Sequence, residues 1–313
     1  MTEPTQAPRA SGLVGVEYLL EGGQSASAVA KGEAELAGVA LYMGDAPATI
    51  HADARTALDH VDGLRRVYPN AVLARTVERR FNLTSACAFD DLSAMKKLLD
   101  HAGVRSRGES LDSPMEPALR LQTACESHSQ LVARLHQEGL YSVYVNIELP
   151  VVDCVVDMTI HGLIVDVARL ARIEATESVE TEIRLRQVQE IAGSLDPASD
   201  KAVRDFLYEQ CGLAPPFRTP GNEKPACKLA LQRLADEHEV VRPIQNYRAH
   251  RNVVEAARTL RPHVGADSVV RGKLDPLGAR TGRFTCKSPN LLGLDKRLRE
   301  AVCAGTGCAL VEA

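Results

Sequence analysis

The chain has 313 residues, so it should hold about two or three domains. Its formal net charge is −4, so any nucleic-acid-binding surface must be local. Its eight cysteines include no CxxC pair, which disfavours a structural zinc site or a disulfide framework and favours free thiols in a reducing cytoplasm. No run of about 18 apolar residues predicts a membrane span, and residues 1–12 predict a short disordered tail rather than a signal peptide.

Strands followed by helices are predicted in the first part of the chain. The patterns predict strands over 13–20, 35–43, 48–51 and 70–74, and helices over 55–66, 89–101 and 117–138. Asp90 or Asp91 lies where a side chain would cap the helix over 89–101. This order is typical of an α/β domain of roughly 130 residues, which we place at 13–145.

Helices dominate the predictions for the rest of the chain. A long helix is expected over 167–192, between Asp166 as its N-cap and Gly193 just past its end. Ser199 should cap the next helix. The remaining predicted elements are helices within 144–161, after Pro243 and over 295–303, and strands over 269–274 and 308–313.

Basic residues concentrate near the end of the sequence. Residues 269–300 contain eight Lys or Arg and three Asp or Glu, and the stretch GARTGRFTCKSPNLLGLDKRLRE over 278–300 spaces its charges with Gly, Thr, Ser and Pro. Gly282 beside Arg283 allows a backbone to approach a partner closely and leaves the guanidinium free to reach it. Composition alone favours an ordinary solvated basic loop, and contact with phosphate or sugar is the functional alternative.

Two short motifs in this stretch are more specific than its charge. Thr281-Gly282-Arg283-Phe284-Thr285 and Ser288-Pro289-Asn290-Leu291, followed by Arg299, resemble the TGR(L/F)SS…PNLQ…R signature of family A DNA polymerases, the bacterial DNA polymerase I type. The sequences NIELP at 146–150, TPG at 219–221 and Tyr247-Arg248 resemble further motifs of that family. The resemblance covers roughly residues 140–313, and it extends to 13–139 only through the order of the predicted elements.

The resemblance implies a fold in three parts. These are an α/β ribonuclease-H-like (exonuclease-like) domain over 13–145, a mostly α-helical thumb over 146–268 and the leading edge of an α+β palm over 269–313. Residues 309–313 match the start of the palm strand that carries the first metal-binding Asp in the family, and the next residue would be that Asp. We therefore expect the N-terminal portion of such a polymerase, ending just before the first catalytic motif. The alternatives are a non-catalytic DNA-binding protein derived from such a polymerase and, more distantly, an unrelated ribonuclease-H-like nuclease.

The exonuclease-like domain is expected to lack catalysis. The family's exonuclease holds two metal ions with four carboxylates, because two cations about 4 Å apart must be neutralised. The first strand lacks the expected Asp-x-Glu pair, and Leu121 and Cys125 stand where the family has Tyr-x-x-x-Asp. The remaining polar candidates, for which surface or capping roles are expected, are Glu17, Asp90, Asp91, Glu126 and His128.

Primer–template DNA is the partner that the resemblance implies, with Arg283 reaching the minor-groove side of the primer end. The candidate DNA-binding residues are Arg283, Thr281, Gly282, Lys287, Asn290, Arg297, Arg299 and Arg248. For Arg299, a salt bridge to a neighbouring carboxylate is an equal alternative. No catalytic or metal-ligating residue is assigned.

Cofactor and cellular context follow from the same resemblance. Mg²⁺ and deoxynucleotides are expected only for a complete polymerase with its palm and fingers, so this chain alone should not extend a primer. We expect a monomer in the bacterial cytoplasm, associated with the nucleoid and without membrane contact, that serves DNA replication or repair.

Overall fold

The computed structural model describes residues 13–22, 24–44, 46–83, 87–104, 116–221 and 223–311. By their contacts, these residues divide into two compact units. The first unit contains the residues up to Gly162 together with Arg271–Leu292, and the second contains Leu163–Val270 and the residues from Gly293 onward. These packing units differ from the three functional domains expected from the sequence, whose boundaries stay a prediction.

Short strands and helices alternate in the first part of the chain, and helices predominate after β5. The strands are β1 (Leu13–Gly22), β2 (Ala34–Tyr42), β3 (Thr49–His51), β4 (Arg65–Tyr68), β5 (Phe89–Asp91), β6 (Leu163–Val165), β7 (Val269–Val270), β8 (Lys273–Asp275), β9 (Thr285–Lys287) and β10 (Val302–Cys303). The helices are α1 (Ala26–Lys31), α2 (Ala54–Asp59), α3 (Ala71–Arg80), α4 (Leu92–His101), α5 (Pro117–Glu126), α6 (His128–Gln137), α7 (Tyr141–Val143), α8 (Leu149–His161), α9 (Val167–Ala192), α10 (Asp200–Arg204), α11 (Lys228–Arg233), α12 (Val241–Leu260) and α13 (Lys296–Arg299). π-Helical stretches at Tyr144–Glu148 and Asp205–Gln210 adjoin α8 and α10, and 3₁₀ turns lie at Arg261–His263 and Leu291–Gly293.

Side-chain caps begin the first four helices. At each N-terminus a short polar side chain accepts a hydrogen bond from the backbone N–H three residues later, which satisfies one of the helix's unpaired donors. The capping residues are Ser25, Asp53, Asn70 and Asp91. The local sequence therefore determines where these short helices start.

A mixed sheet with the order β3-β2-β1-β4-β5 lies at the centre of the first unit. β1 pairs antiparallel with β2 and parallel with β4, which in turn pairs parallel with β5. Because side chains alternate along a strand, Val14 and Val16 of β1 pack with the core on the side of α1, α3 and α8. On the other face a Cβ on Gly15 would overlap the Cys125 Sγ atom, so α5 packs directly on β1 there.

The second unit is mostly helical. α9 and α12 pack along each other, and β6 lies between β7 and β10 in a small antiparallel sheet. Asp166 caps α9 as predicted, and the helix ends at Gly193. Its apolar stripe is partly buried, since Leu170 is 1% exposed whereas Ile183 is 40% exposed. Among the residues that the structure describes, no helix is both long and apolar enough to cross a membrane.

Several predicted elements were wrong in type or extent. The residues expected as a strand over 70–74 begin α3, and the helix expected over 55–66 ends at Asp59 before β4. The predicted helix over 89–101 starts as β5, and the one over 117–138 is interrupted at Ser127. The predicted strand over 269–274 breaks between β7 and β8.

The predictions at the two ends of the sequence have different outcomes. Residues 308–311 are not a strand, which contradicts the strand predicted over 308–313. Residues 312–313 and the predicted disordered tail at 1–12 lie outside the described residues.

Candidate nucleic-acid interface

The first motif lies on a β-hairpin in the first unit. β8 and β9 pair antiparallel, and the residues between them form the loop that contains Thr281-Gly282-Arg283. Leu277 anchors this loop in the core formed with α4 and α6, where it is 5% exposed. Gly278 lies so close to the Thr285 side chain that any Cβ there would overlap it. The loop is therefore held at its base, while its tip faces solvent.

Arg283 is presented at the exposed tip of this loop. Thr281, Gly282 and Arg283 are all exposed. Gly282 has φ 76°, in the left-handed region that favours glycine, and a Cβ there would meet nothing within 4 Å. Within the described parts of the chain, no carboxylate forms a salt bridge with Arg283. Its guanidinium therefore has its donors available for a phosphate, a sugar or a base edge.

Lys287 and Asn290 lie beyond the loop tip. Lys287 ends β9 and is exposed. The turn that follows contains a cis peptide bond between Ser288 and Pro289, and it carries Asn290, which is also exposed. These two residues and the loop tip give five of the predicted contacts within the first unit: Thr281, Gly282, Arg283, Lys287 and Asn290.

Arg248 and the two other predicted arginines belong to the second unit, where the structure gives them intramolecular partners. Arg248 on α12 donates from Nε to the Pro197 carbonyl (2.7 Å) and from Nη1 to the Ala226 carbonyl (2.8 Å). The same Nη1 atom forms a salt bridge with Asp200 at 2.8 Å. Arg248 thus fixes two loop carbonyls against α12, which is a structural role that the sequence did not reveal.

Replacing Arg248 with alanine should lower the free energy of unfolding by about 2 kcal/mol, because charged hydrogen bonds to two backbone carbonyls are lost. Chemical denaturation measures this loss. Arg251→Ala on the same helix is the control, since its pairing with Glu255 at 4.0 Å is exposed and weak. A stable Arg248→Ala variant whose DNA binding has a reduced salt dependence would instead identify Arg248 as a phosphate contact.

Arg297 lies in a compact charge cluster. Its Nη1 atom is 2.7 Å from Glu177 on α9, and its Nη2 atom donates to the Ala249 carbonyl at 2.8 Å. His250 Nδ1 lies 2.7 Å from the same Glu177 carboxylate. Burial opposes ionisation of Asp295, but the hydrogen bonds from Arg297 lower the pKa of Asp295 below its usual value. Arg297 therefore connects α13 to α9 and α12.

Arg299 is exposed, and its Nε atom donates to the Leu294 carbonyl at 3.2 Å. The adjacent Glu300 carboxylate forms a salt bridge with Arg169, at 3.1 Å. The predicted DNA contacts of Arg248, Arg297 and Arg299 stay predictions, and any such contact would involve side chains that already have protein partners.

Comparisons with known proteins find similar sequences among bacterial DNA polymerases. No family model matches the chain. DNA polymerase I of Bacillus subtilis is 25% identical over 231 residues, which cover 68% of this chain and 26% of that protein. DNA polymerase I of Streptococcus pneumoniae is 24% identical over 188 residues, covering 58% of this chain and 21% of that protein. The chain thus spans about a quarter of the length of these curated relatives.

A solved structure has the same fold over nearly the whole chain. It is described as the POL domain of Pol1 from M. smegmatis in complex with DNA primer-template and dNTP. The TM-score is 0.81 at 18% identity, and the match covers 96% of this chain and 56% of that chain. The chain is therefore similar in sequence to bacterial DNA polymerase I, and it has the fold of a POL domain.

The residues of β1 and α5 that the sequence singled out for a comparison with exonuclease motifs have packing roles. Leu121 and Cys125 pack against Gly15 on β1. Glu17 follows two residues later on the same face and accepts a hydrogen bond from Arg120 Nε at 3.0 Å. Burial raises the pKa of Glu17 although Arg120 opposes the shift. This face of β1 therefore holds apolar side chains and one paired carboxylate.

Asp90, on β5, is held by three side chains. Arg65 Nε donates to it at 2.7 Å and the Tyr144 hydroxyl at 3.0 Å, and His128 Nε2 lies 3.1 Å away. Burial would raise the pKa of this carboxyl, but the hydrogen bonds from His128 and Arg65 prevail and lower the pKa of Asp90 to about 2. Asp90 is therefore an ionised structural anchor among these partners.

Asp91, the next residue, has the opposite electrostatic environment. It caps α4, and burial raises the pKa of Asp91 to about 6, although backbone N–H groups oppose the shift. The Asp91 carboxyl therefore loses its proton at a lower pH in the unfolded chain than in the folded chain. The ionised carboxylate therefore destabilises the fold as the pH rises from about 4 to about 6.

Asp91→Asn should remove that pH dependence. A shift of about two pKa units corresponds to about 3 kcal/mol, so the parent should lose about that much stability relative to the variant between about pH 4 and pH 7. Urea unfolding at intermediate pH values measures the difference. Asp53→Asn, at the exposed cap of α2, is the matched control, because the Thr56 hydrogen bonds lower the pKa of Asp53. If the free energy of unfolding had the same pH dependence in the parent and in Asp91→Asn, the prediction would be contradicted.

Proposed function

We propose that this chain binds primer–template DNA through the exposed loop of the β8–β9 hairpin, as a part of a family A DNA-directed DNA polymerase. The observation that carries the proposal is Arg283. It lies exposed at the tip of an anchored, glycine-containing loop, within the Thr281-Gly282-Arg283 motif of that family. A second support is the solved POL domain of Pol1 from M. smegmatis, which has the same fold and is in complex with DNA primer-template.

Residues 13–145, which belong to the first unit, are proposed to be an exonuclease-like scaffold without catalysis. In favour of the ribonuclease-H-like assignment are the order β3-β2-β1-β4-β5 and a β2 that runs antiparallel to its neighbours. In favour of lost catalysis is the packing of Leu121 and Cys125 on Gly15. By the sequence resemblance these two residues stand where the family has Tyr and Asp, and neither can supply a carboxylate to a metal ion.

The predicted Mg²⁺ dependence concerns the complete polymerase. Among the described residues, no group of three or more His, Cys, Asp or Glu is arranged to hold a metal ion. These residues therefore do not fit a resident metal, and no metal-dependent step is assigned to them. What this chain's own residues contribute to the proposed function is the binding and orientation of DNA.

Fluorescence anisotropy with a labelled primer–template, from about 50 to about 300 mM salt, tests the proposal. About four basic contacts in the hairpin region would give a slope of about −3 to −4 in a plot of log K against log salt. A duplex with a recessed 3′ end and a blunt duplex of equal length test whether the primer end is recognised. The proposal predicts tighter binding of the recessed end, and no binding at low salt would refute it.

A further inference from the structure

Two lysines of the β8–β9 hairpin face each other directly. Lys273 on β8 is the register partner of Lys287 on β9, and both are exposed. Directly opposed residues in an antiparallel pair have Cβ atoms about 5 Å apart, and like charges at such positions repel. The arrangement is therefore unfavourable unless something negative lies between the two ammonium groups.

The neighbouring carboxylate does not serve as that partner. Asp275 and Thr285 form the next pair on the same face of the hairpin. The Oδ2 atom of Asp275 binds Lys97 Nζ at 2.5 Å, and its Oδ1 atom accepts from the Leu277 N–H at 3.1 Å. Within the described parts of the chain, no acidic side chain forms a salt bridge with Lys273 or Lys287. Among these residues, neither ammonium group therefore has a carboxylate that neutralises its charge.

The strand register keeps the lysines opposed. Leu274 and Cys286 form the intervening pair on the opposite face, and Cys286 is 6% exposed. A Cβ on Gly272 would overlap the Cys286 Sγ atom, so the backbones pack closely at this point. A slip by one residue would expose Cys286 and bury a lysine, so the repulsion cannot be relieved by changing register.

We propose that Lys273 and Lys287 together form a clamp for one phosphate of the DNA backbone. The proposal rests on the DNA binding proposed above and adds a specific phosphate contact to it. Each ammonium has three donors on a flexible stem, so one lysine can donate to each non-bridging oxygen of a single phosphodiester. Both lysines lie on an open face of the hairpin, which does not enclose a small free anion. This face can accept a phosphate that is part of a longer polymer.

The test uses the full chain with Lys273→Gln, Lys287→Gln and the double substitution, and measures affinity for the primer–template over the salt series. Each single change should weaken binding by about three- to tenfold at low salt. The loss in the double variant should be smaller than the product of the two single losses, because both lysines act on the same phosphate. The log–log salt slope should fall by about 1 in the double variant, as expected for one lost phosphate contact.

Two further variants test whether a loss of affinity comes from the lysine pair itself, from a change in net charge or from unfolding of the hairpin. Lys31→Gln removes the same charge from the same unit where Glu33 lies 4.0 Å away, and it should leave affinity unchanged. Lys273→Glu creates an opposite-charge pair with Lys287, so it should keep or raise the melting temperature while weakening DNA binding at least as much as the double glutamine variant. Such a result excludes unfolding of the hairpin as the cause.

The outcomes that overturn the clamp are distinct. Parental affinity and slope in the double variant would mean that the lysines only protect the hairpin edge from pairing with other strands. Additive losses with a slope change of about 2 would mean two separate phosphates. Inorganic phosphate at millimolar concentration that displaces the DNA from the parent, but not from the double variant, would show a free-anion site. Absence of DNA binding by the parent would overturn the proposed function and the clamp together, whereas the other results overturn the clamp alone.

Discussion

Arg283→Ala should weaken primer–template binding by about five- to 150-fold, the largest effect expected for a single residue of the hairpin loop. A directed arginine contact to nucleic acid contributes about 1–3 kcal/mol. Arg283 is exposed, and in the described parts of the chain no carboxylate pairs with it, so little protein structure should change when it is removed. Anisotropy at a fixed salt concentration measures the affinity, and chemical denaturation checks that the fold is intact.

The matched control for Arg283 lies three residues earlier in the same loop. Arg280 is also exposed and carries the same charge, so Arg280→Ala reports the general electrostatic contribution alone. Arg283→Lys keeps the charge but removes the planar donor fork, and it should recover only part of the affinity. Equal losses for Arg283→Ala and Arg280→Ala would show that Arg283 makes no directed contact and that only local charge matters.

Several elements whose bounds are set by local sequence signals, such as alternating apolar residues or helix caps, were predicted correctly. β1, β2 and β3 lie within two residues of their predicted bounds, and α9 has its predicted limits. For α9, Asp166 supplies the cap and Gly193 the end. The strand predicted over 70–74 was wrong because an apolar run of a few residues does not distinguish a strand from a helix. The side chain of Asn70 caps the N-terminus of α3, and this favours the helix.

The candidate site was predictable only where it depends on a local motif. Contacts between residues that are far apart in the sequence could not be predicted. The motif around Arg283 predicted an exposed basic loop, which the structure shows. The roles of Arg248 and Arg297 were not predictable, because Asp200 and Glu177 are 48 and 120 residues away in sequence. The apposition of Lys273 and Lys287 likewise depends on strand register, which a single sequence does not specify when the connecting loop is long.

A buried carboxylate in the first unit should give the largest stability effect: Glu78→Gln is expected to lower the free energy of unfolding by about 3–5 kcal/mol. Glu78 on α3 is fully buried. Its Oε1 atom accepts from Arg66 Nη1 at 2.7 Å and from the Tyr18 hydroxyl at 3.0 Å, and its Oε2 atom accepts from Arg75 at 2.8 Å. The Tyr68 hydroxyl donates to Oε1 as well.

The size of this effect follows from the charges left behind rather than from the bonds lost. Arg66 is 2% exposed, so without the carboxylate its guanidinium would remain buried and uncompensated. Burial and the Glu78 charge raise the pKa of Tyr18, which therefore stays protonated and cannot replace the missing anion. Glu138→Gln, which breaks the exposed pair with Arg134 at 3.3 Å, removes the same charge and should cost at most about 1 kcal/mol. Similar midpoints for Glu78→Gln and Glu138→Gln in urea unfolding would show that water reaches Arg66 and that this charge network is not sealed from solvent.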